Sequence, residues 1–251
     1  MREHAKFLDQ AFLERREVDR ITLKEPSLSI DEGYRIQDDL IALRLGRGEK
    51  VIGLKMGLTS RAKMKQMGID SPIYGVLTDA MKVEGRFDTK GAIHAKIEPE
   101  IAFLIRDELK GSVTAERALA ACSGVCAAME IIDSRFRDFK FELPDVIADN
   151  CSSHAFVMGD TVRDPREIDL GNLGMILEVD GKPVQFGSSA AILDHPLESL
   201  LELCRLLERR GRSIPAGSIV LAGAATLAVP LLPGARVRAL VQDLGEASVT
   251  T

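Results

Sequence analysis

A chain of 251 residues can form one large domain or two modest ones, and 45 % apolar with 28 % charged residues is ordinary for a soluble globular protein. A net charge of −5 argues against a general nucleic-acid or anionic-membrane binder, and the lack of Trp, with only two Tyr, against a base-stacking platform. No apolar run is long enough to cross a membrane, and Met1-Arg2-Glu3-His4-Ala5-Lys6 lacks the apolar core of a secretion signal, so a cytoplasmic protein is expected.

Residues 3–20 carry Ala5, Leu8, Ala11 and Phe12 at helical spacing. A second helix is predicted from Ser29, an N-cap with Asp31 and Glu32 in the first turn, to Leu45, where Gly46-Arg47-Gly48 ends it. Residues 1–48 thus read as a helical arm. Val51 to Ser60 is an alternating strand with Ile52, Leu54, Met56 and Leu58 on a core face. Lys55 stands on the other face between Gly53 and Gly57, which leave volume around its ammonium. It is either a ligand-facing lysine or a solvated one. Ser60 is predicted to cap a short helix from Arg61 to Met67, stopped by Gly68. After the turn Ser71–Gly75, Asp79 interrupts an apolar run as a local cap or as a base facing the cavity of Lys55.

In Ile97-Glu98-Pro99-Glu100-Ile101-Ala102-Phe103-Leu104-Ile105, strand alternation puts Glu98 and Glu100 on one face. Two carboxylates that close repel unless a proton or cation lies between them, which suits a hard divalent ion; an exposed acidic strand end is the other reading. Thr114 is predicted to cap a helix reaching Cys122 or Ala127, so that Cys122 and Cys126 lie one helical turn apart as small core residues. Ala127 to Arg135 reads as a buried strand with Glu130 at its centre, either a third metal ligand or the partner of an arginine such as Arg135. Asp145 to His154 has the small and polar residues of a site loop, with Ser152 and Ser153 as donors to a bound anion; Gly-x-Ser-x-Gly is absent. A hairpin turning at Asp180-Gly181, an amphipathic helix from Pro196 to Arg210, a strand at 218–222, a turn followed by an alternating strand within 229–241 and a last strand after Gly245 complete the chain. There is no internal repeat, P-loop or Gly-x-Gly-x-x-Gly. One α+β domain over 1–251 is expected, its β core at 49–251.

Read together, Gly53–Ser60, Pro72-Ile73-Tyr74-Gly75, Leu77-Thr78-Asp79, Ile97–Ile101, Glu130–Arg135 and Asp149-Asn150-Cys151-Ser152-Ser153 resemble the hydratase/decarboxylase branch of the fumarylacetoacetate hydrolase superfamily, and more its decarboxylases. The resemblance implies a mixed β-sheet roll around Mg²⁺ or Mn²⁺ held by Glu98, Glu100 and Glu130. It implies Lys55, Asp79 and Ser152 as catalytic residues, with Thr59, Ser60, Ser153 and Thr226 at the substrate. The implied reaction is decarboxylation of a 2-oxo dicarboxylic acid, 2-oxo-3-hexenedioate, in aromatic meta-cleavage degradation. The alternatives are hydration of a 2-hydroxydienoate and a non-catalytic keto-acid-binding or scaffolding subunit. A C–C bond hydrolase needs a His–Glu pair, and His94 has no clear partner in sequence. The implied partners are further copies of the chain and the pathway hydratase.

Overall fold

The computed structural model describes residues 1–61, 64–65 and 69–251. Two helices lead, α1 (Arg2–Glu14) and α2 (Ile30–Gly46), the second opened by a capping box in which Ser29 Oγ accepts the Glu32 N–H and Glu32 accepts the Ser29 N–H. Strands β1 (Val51–Gly57), β2 (Ile73–Thr78), β3 (Lys96–Ile105) and β4 (Leu109–Lys110) follow. Then come α3 (Ala115–Ala121), β5 (Cys122–Ile132), α4 (Leu143–Ala148), β6 (Ser153–Met158), β7 (Gly174–Val179) and β8 (Lys182–Ser188). The chain closes with α5 (Pro196–Glu208), β9 (Ser213–Ile214), β10 (Ile219–Leu221), β11 (Val229–Pro230), β12 (Arg236–Val241) and β13 (Gly245–Thr250). The expected helix from Arg61 to Met67 includes Ala62, Lys63, Gln66 and Met67, which lie, with Gly68, outside the described residues.

The larger sheet runs β2-β1-β10-β3-β5-β6, with β11 beside β3; β1 and β10 are parallel and the other pairs antiparallel, so the sheet is mixed. It curls until its ends meet: the Val83 N–H donates to the Phe156 carbonyl at 2.9 Å, tying the chain beyond β2 to β6. Alternation then gives the roll two distinct faces. Outside, Ile97, Ile101, Phe103, Val125, Ala127 and Met129 join one apolar core with Leu177, Val237, Ala239 and Val249 of the second sheet, β13-β12-β7-β8. Inside, Leu77, Met81, Ala102, Cys126, Ala128, Phe156 and Leu221 form a smaller plug. The plug is small because a curled sheet leaves little interior volume, and Ala102, Cys126 and Ala128 make room for the larger Leu77, Met81, Phe156 and Leu221.

Two expectations about local structure change. The helix after Thr114 stops at Ala121, and Cys122 and Cys126 lie on β5 rather than on a helical turn, both buried and free. The run expected as a site loop forms α4 and a tight turn before β6. The arm packs through Ala5, Leu8, Ala11, Ile36 and Leu40 onto Phe136 and Ala148.

His154 joins arm and roll, its ring against Phe12 and Phe87 at centroid distances of 5.6 and 5.7 Å. Burial, helped by Arg135 and Arg44 and opposed by Asp133, pushes its imidazole down to about 4. An unfolded histidine titrates near 6.5, so the unfolded chain takes the proton first. The contribution of this neutral packing is complete above pH 6.5 and is lost as pH falls from there toward 4, at up to about 1.4 kcal/mol per pH unit. The melting temperature should drop across that window, and a His154→Gln variant should show a flatter profile.

Candidate active site

The register of β3 against β5 builds the site. Glu98 lies opposite Glu130 and Glu100 opposite Ala128, so the three glutamates share the inner face of the roll. One carboxylate oxygen from each lies within 4.8 Å of the others. Glu100 and Glu130 are fully buried and Glu98 borders the cavity. Like charges directly across a ladder are destabilising, so the arrangement needs compensation.

Part of that compensation comes from the chain. Gly223 N–H donates to Glu100 Oε2 at 2.7 Å, and Ser153 Oγ donates to Glu130 Oε1 at 2.8 Å. Lys55 Nζ lies 2.9 Å from Glu130 Oε2 and donates to the Cys151 carbonyl at 3.2 Å. Lys55 is only 3 % exposed; burial, the largest single influence, disfavours its charge, but Glu130 together with Cys151, Glu100 and Glu98 outweighs it and holds the ammonium above its ordinary value. The balance is still unmet. Burial, then Glu130 and Glu98, push the Glu100 carboxyl well above the usual range, and the buried Glu100 Oε1 has no donor among the described residues. Three carboxylates against one ammonium, all oxygen donors, with one oxygen orphaned, fit a hard divalent cation such as Mg²⁺ or Mn²⁺.

A cavity of about 360 Å³ opens beside this cluster, lined by Lys55, Thr59, Ser60, Glu98, Ser152 and Thr226. Ile73, Ile132, Phe139, Phe141 and Val146 give the cavity its apolar lining. Ser152 Oγ is buried and has no hydrogen-bond partner among the described residues, which leaves it available to a guest. Thr59 is wedged against Gly223: a Cβ there would sit 2.2 Å from Thr59 Oγ1, and Gly223 has φ +111°, so both space and backbone call for glycine. Thr226 lines the cavity while donating to the Leu227 carbonyl at 3.2 Å.

Two expected site residues are elsewhere. Asp79 is exposed beyond the end of β2, where its Oδ1 accepts the N–H groups of Lys50 and Ala80. Lys55 faces Gly75, so Asp79 is four residues, or about 13 Å, along the strand. It is a cap and not a base beside Lys55. Ser153 does not line the cavity; its hydroxyl is committed to Glu130, one link behind the substrate. Of the glycines flanking Lys55, Gly57 does leave space near Nζ, whereas Gly53 is small because the Ile219 backbone crosses it. The Glu130–Arg135 alternative is absent, since Arg135 is ion-paired with Asp149.

Residues 78–250 match the fumarylacetoacetate (FAA) hydrolase C-terminal family. A 4-oxalocrotonate decarboxylase of a Pseudomonas species is 48 % identical over 249 residues, covering 98 % of this chain and 96 % of that protein. The chain belongs to the fumarylacetoacetate hydrolase family. A 4-oxalocrotonate decarboxylase from Pseudomonas putida G7, solved with magnesium and adipate, superposes with a TM-score of 0.96 at 38 % identity, over 99 % of this chain and 96 % of that one. A 2-hydroxypent-2,4-dienoate hydratase from Pseudomonas putida is 36 % identical over 208 residues, 81 % of this chain and 94 % of that protein. In this member of the fumarylacetoacetate hydrolase family, His94 does find an acidic partner, Glu17, at 3.0 Å, contrary to the sequence expectation. Neither residue lines the cavity beside Lys55. Sequence reasoning missed Gly223 as donor to Glu100 and the aromatic wall of Phe139 and Phe141; the glycine in Gly223-Ala224-Ala225 was the available signal for the first.

Proposed function

We propose that the chain decarboxylates 2-oxo-3-hexenedioate to 2-hydroxypenta-2,4-dienoate and CO₂ in a divalent-cation-dependent reaction. The observation that carries this reading is the meeting of Glu98, Glu100, Glu130 and Lys55 in one cluster beside a cavity that Lys55 and Glu98 line. The substrate is a vinylogous β-keto acid: the C5–C6 bond breaks, its electrons pass through the C3–C4 unit to the 2-oxo oxygen, and one proton is taken up. Glu98, Glu100 and Glu130 would hold the cation, which supplies Lewis-acid stabilisation to the oxygen on which charge develops. Lys55 sets a second positive charge at that end of the cavity, oriented by the Cys151 carbonyl and Glu130. Ser152 offers a hydroxyl to a substrate oxygen, and Ser153 fixes the rotamer of Glu130. The apolar wall of Phe139, Phe141 and Val146 keeps water from the reacting carbons.

The arm (1–48) and the β core (49–251) belong to one catalytic unit in this reading. Gln37 of α2 supports it by donating to the carbonyls of Tyr74 and Ile147, next to the Lys55 layer. Among the described residues no helix is long and apolar enough to span a membrane. The proposal extends to a cytoplasmic homo-oligomer associated with the hydratase that consumes the dienol, and size-exclusion chromatography of the two proteins mixed tests that part.

The deciding assay follows the ultraviolet absorbance of the dienoic diacid while CO₂ is trapped. One CO₂ per substrate consumed is expected, stopped by EDTA and restored by Mg²⁺. Turnover of 2-hydroxypenta-2,4-dienoate without CO₂ release from the diacid would make the protein a hydratase. Binding of the diacid with no turnover would make it a keto-acid-binding subunit.

A further inference from the structure

Asn150, Cys151 and Ser152 are consecutive left-handed residues, with φ of 49°, 54° and 57°, and none is glycine. Such a run is disfavoured for L-residues and persists only where its surroundings hold it. The hold is visible. The Asn150 side chain reaches across to β2 and pairs with Val76 as a second strand would: Oδ1 accepts the Val76 N–H at 2.8 Å and Nδ2 donates to the Val76 carbonyl at 2.9 Å. Ser152 is tied separately, its N–H to the Asp149 carbonyl at 3.0 Å and its carbonyl to the Asp133 N–H at 2.8 Å.

The turn presents the Cys151 carbonyl to Lys55 Nζ at 3.2 Å. Across the same layer lies Gly75, the β2 partner of Lys55. A Cβ on Gly75 would come within 2.8 Å of the Asn150 carbonyl oxygen and 3.1 Å of Lys55 Cδ. The lysine stem, the turn and β2 are therefore in contact with no slack between them.

We propose that Asn150 is the positioning residue for Lys55: by clamping the left-handed turn to Val76, it fixes the Cys151 carbonyl that aims the ammonium into the cavity. Asparagine suits this on two grounds. It tolerates the left-handed region, and its amide alone supplies both the acceptor and the donor that a backbone pair needs. The inference rests on the reading of Lys55 as the cation acting on substrate.

The test uses the Mg²⁺-loaded protein and the CO₂ assay. Asn150→Gly keeps a residue at ease in the turn but removes the clamp; kcat should fall about 10- to 100-fold, the loss typical of a small misplacement of a reacting group. KM should change less than kcat, and the rise in melting temperature on adding Mg²⁺ should persist, because no carboxylate ligand is touched. In a Lys55→Met background the same substitution should cost no further activity, whereas a merely structural role would cost the same factor in both. Gly75→Ala, pressing on the turn and the Lys55 stem from β2, should give the same kcat loss and stands in if Asn150→Gly fails to fold. Wild-type kcat in either variant, or an equal loss in both backgrounds, overturns the positioning role. Wild-type kcat in Lys55→Met alone overturns the reading of Lys55 beneath it.

Discussion

Glu100→Gln should lower Mg²⁺-dependent kcat by about 10³-fold or more, roughly 4 kcal/mol of transition-state stabilisation, while making the metal-free protein more stable. The two effects have one cause. Gln is isosteric and can still accept the Gly223 N–H that now meets Glu100 Oε2 at 2.7 Å, so the local fold is kept. It removes one of three carboxylates crowded within 4.8 Å and one buried oxygen that has no donor among the described residues. Relief of such a group is worth about 1–3 kcal/mol. The sign with pH follows from the raised Glu100 carboxyl. A carboxyl that prefers its proton in the folded state favours folding at low pH, and that contribution disappears as pH rises through its folded value. The stabilisation by Gln should therefore grow from pH 5 to pH 8 in EDTA, and the Mg²⁺-induced rise in melting temperature should shrink. Full activity of Glu100→Gln in Mg²⁺-replete buffer would remove the three-acid site from the argument.

The acids were legible in sequence because each breaks a pattern. Glu98 and Glu100 recur at strand spacing beside isoleucines, and Glu130 interrupts an apolar run where a lone charge needs a partner. The pairing that brings them together was not, because β3 and β5 meet through a register that no local signal specifies. Asp79 looked the same as Glu130 by the same rule, an acid in an apolar run. The difference is tertiary: β2 ends at Thr78, so Asp79 turns to cap backbone N–H groups. Cys122 and Cys126 were misplaced for another reason. A strand buried on both faces shows no alternation, and its small residues suit a helix equally well. Ser152 and Ser153 illustrate the limit at single-residue scale. Adjacent serines diverge, one into the cavity and one onto Glu130, because the left-handed turn ends between them.

Lys55→Met is expected to lower kcat by about 10²- to 10³-fold, the usual cost of removing one group that stabilises developing negative charge. It should also destabilise the metal-free protein by about 3–5 kcal/mol, because Glu130 is left buried without its cation. Loss of activity alone would not separate chemistry from support, so the companion variant matters. Glu130→Gln should likewise be destabilising, since it strands a buried ammonium. The double variant Lys55→Met/Glu130→Gln removes both charges together and should recover most of the lost stability, a coupling readable in a denaturation cycle. Its activity should not recover. The double variant also lacks one of the three proposed metal ligands, so its kcat is compared with that of Glu130→Gln alone. A lysine kept only to neutralise Glu130 would be dispensable in that background, whereas a lysine that acts on substrate would cost activity again, and the cavity wall offers no second cation among the described residues to replace it. Equal kcat in Glu130→Gln and in the double variant would reduce Lys55 to a structural counter-ion; a further loss of kcat in the double variant, with stability restored, would keep it at the reacting end of the cavity.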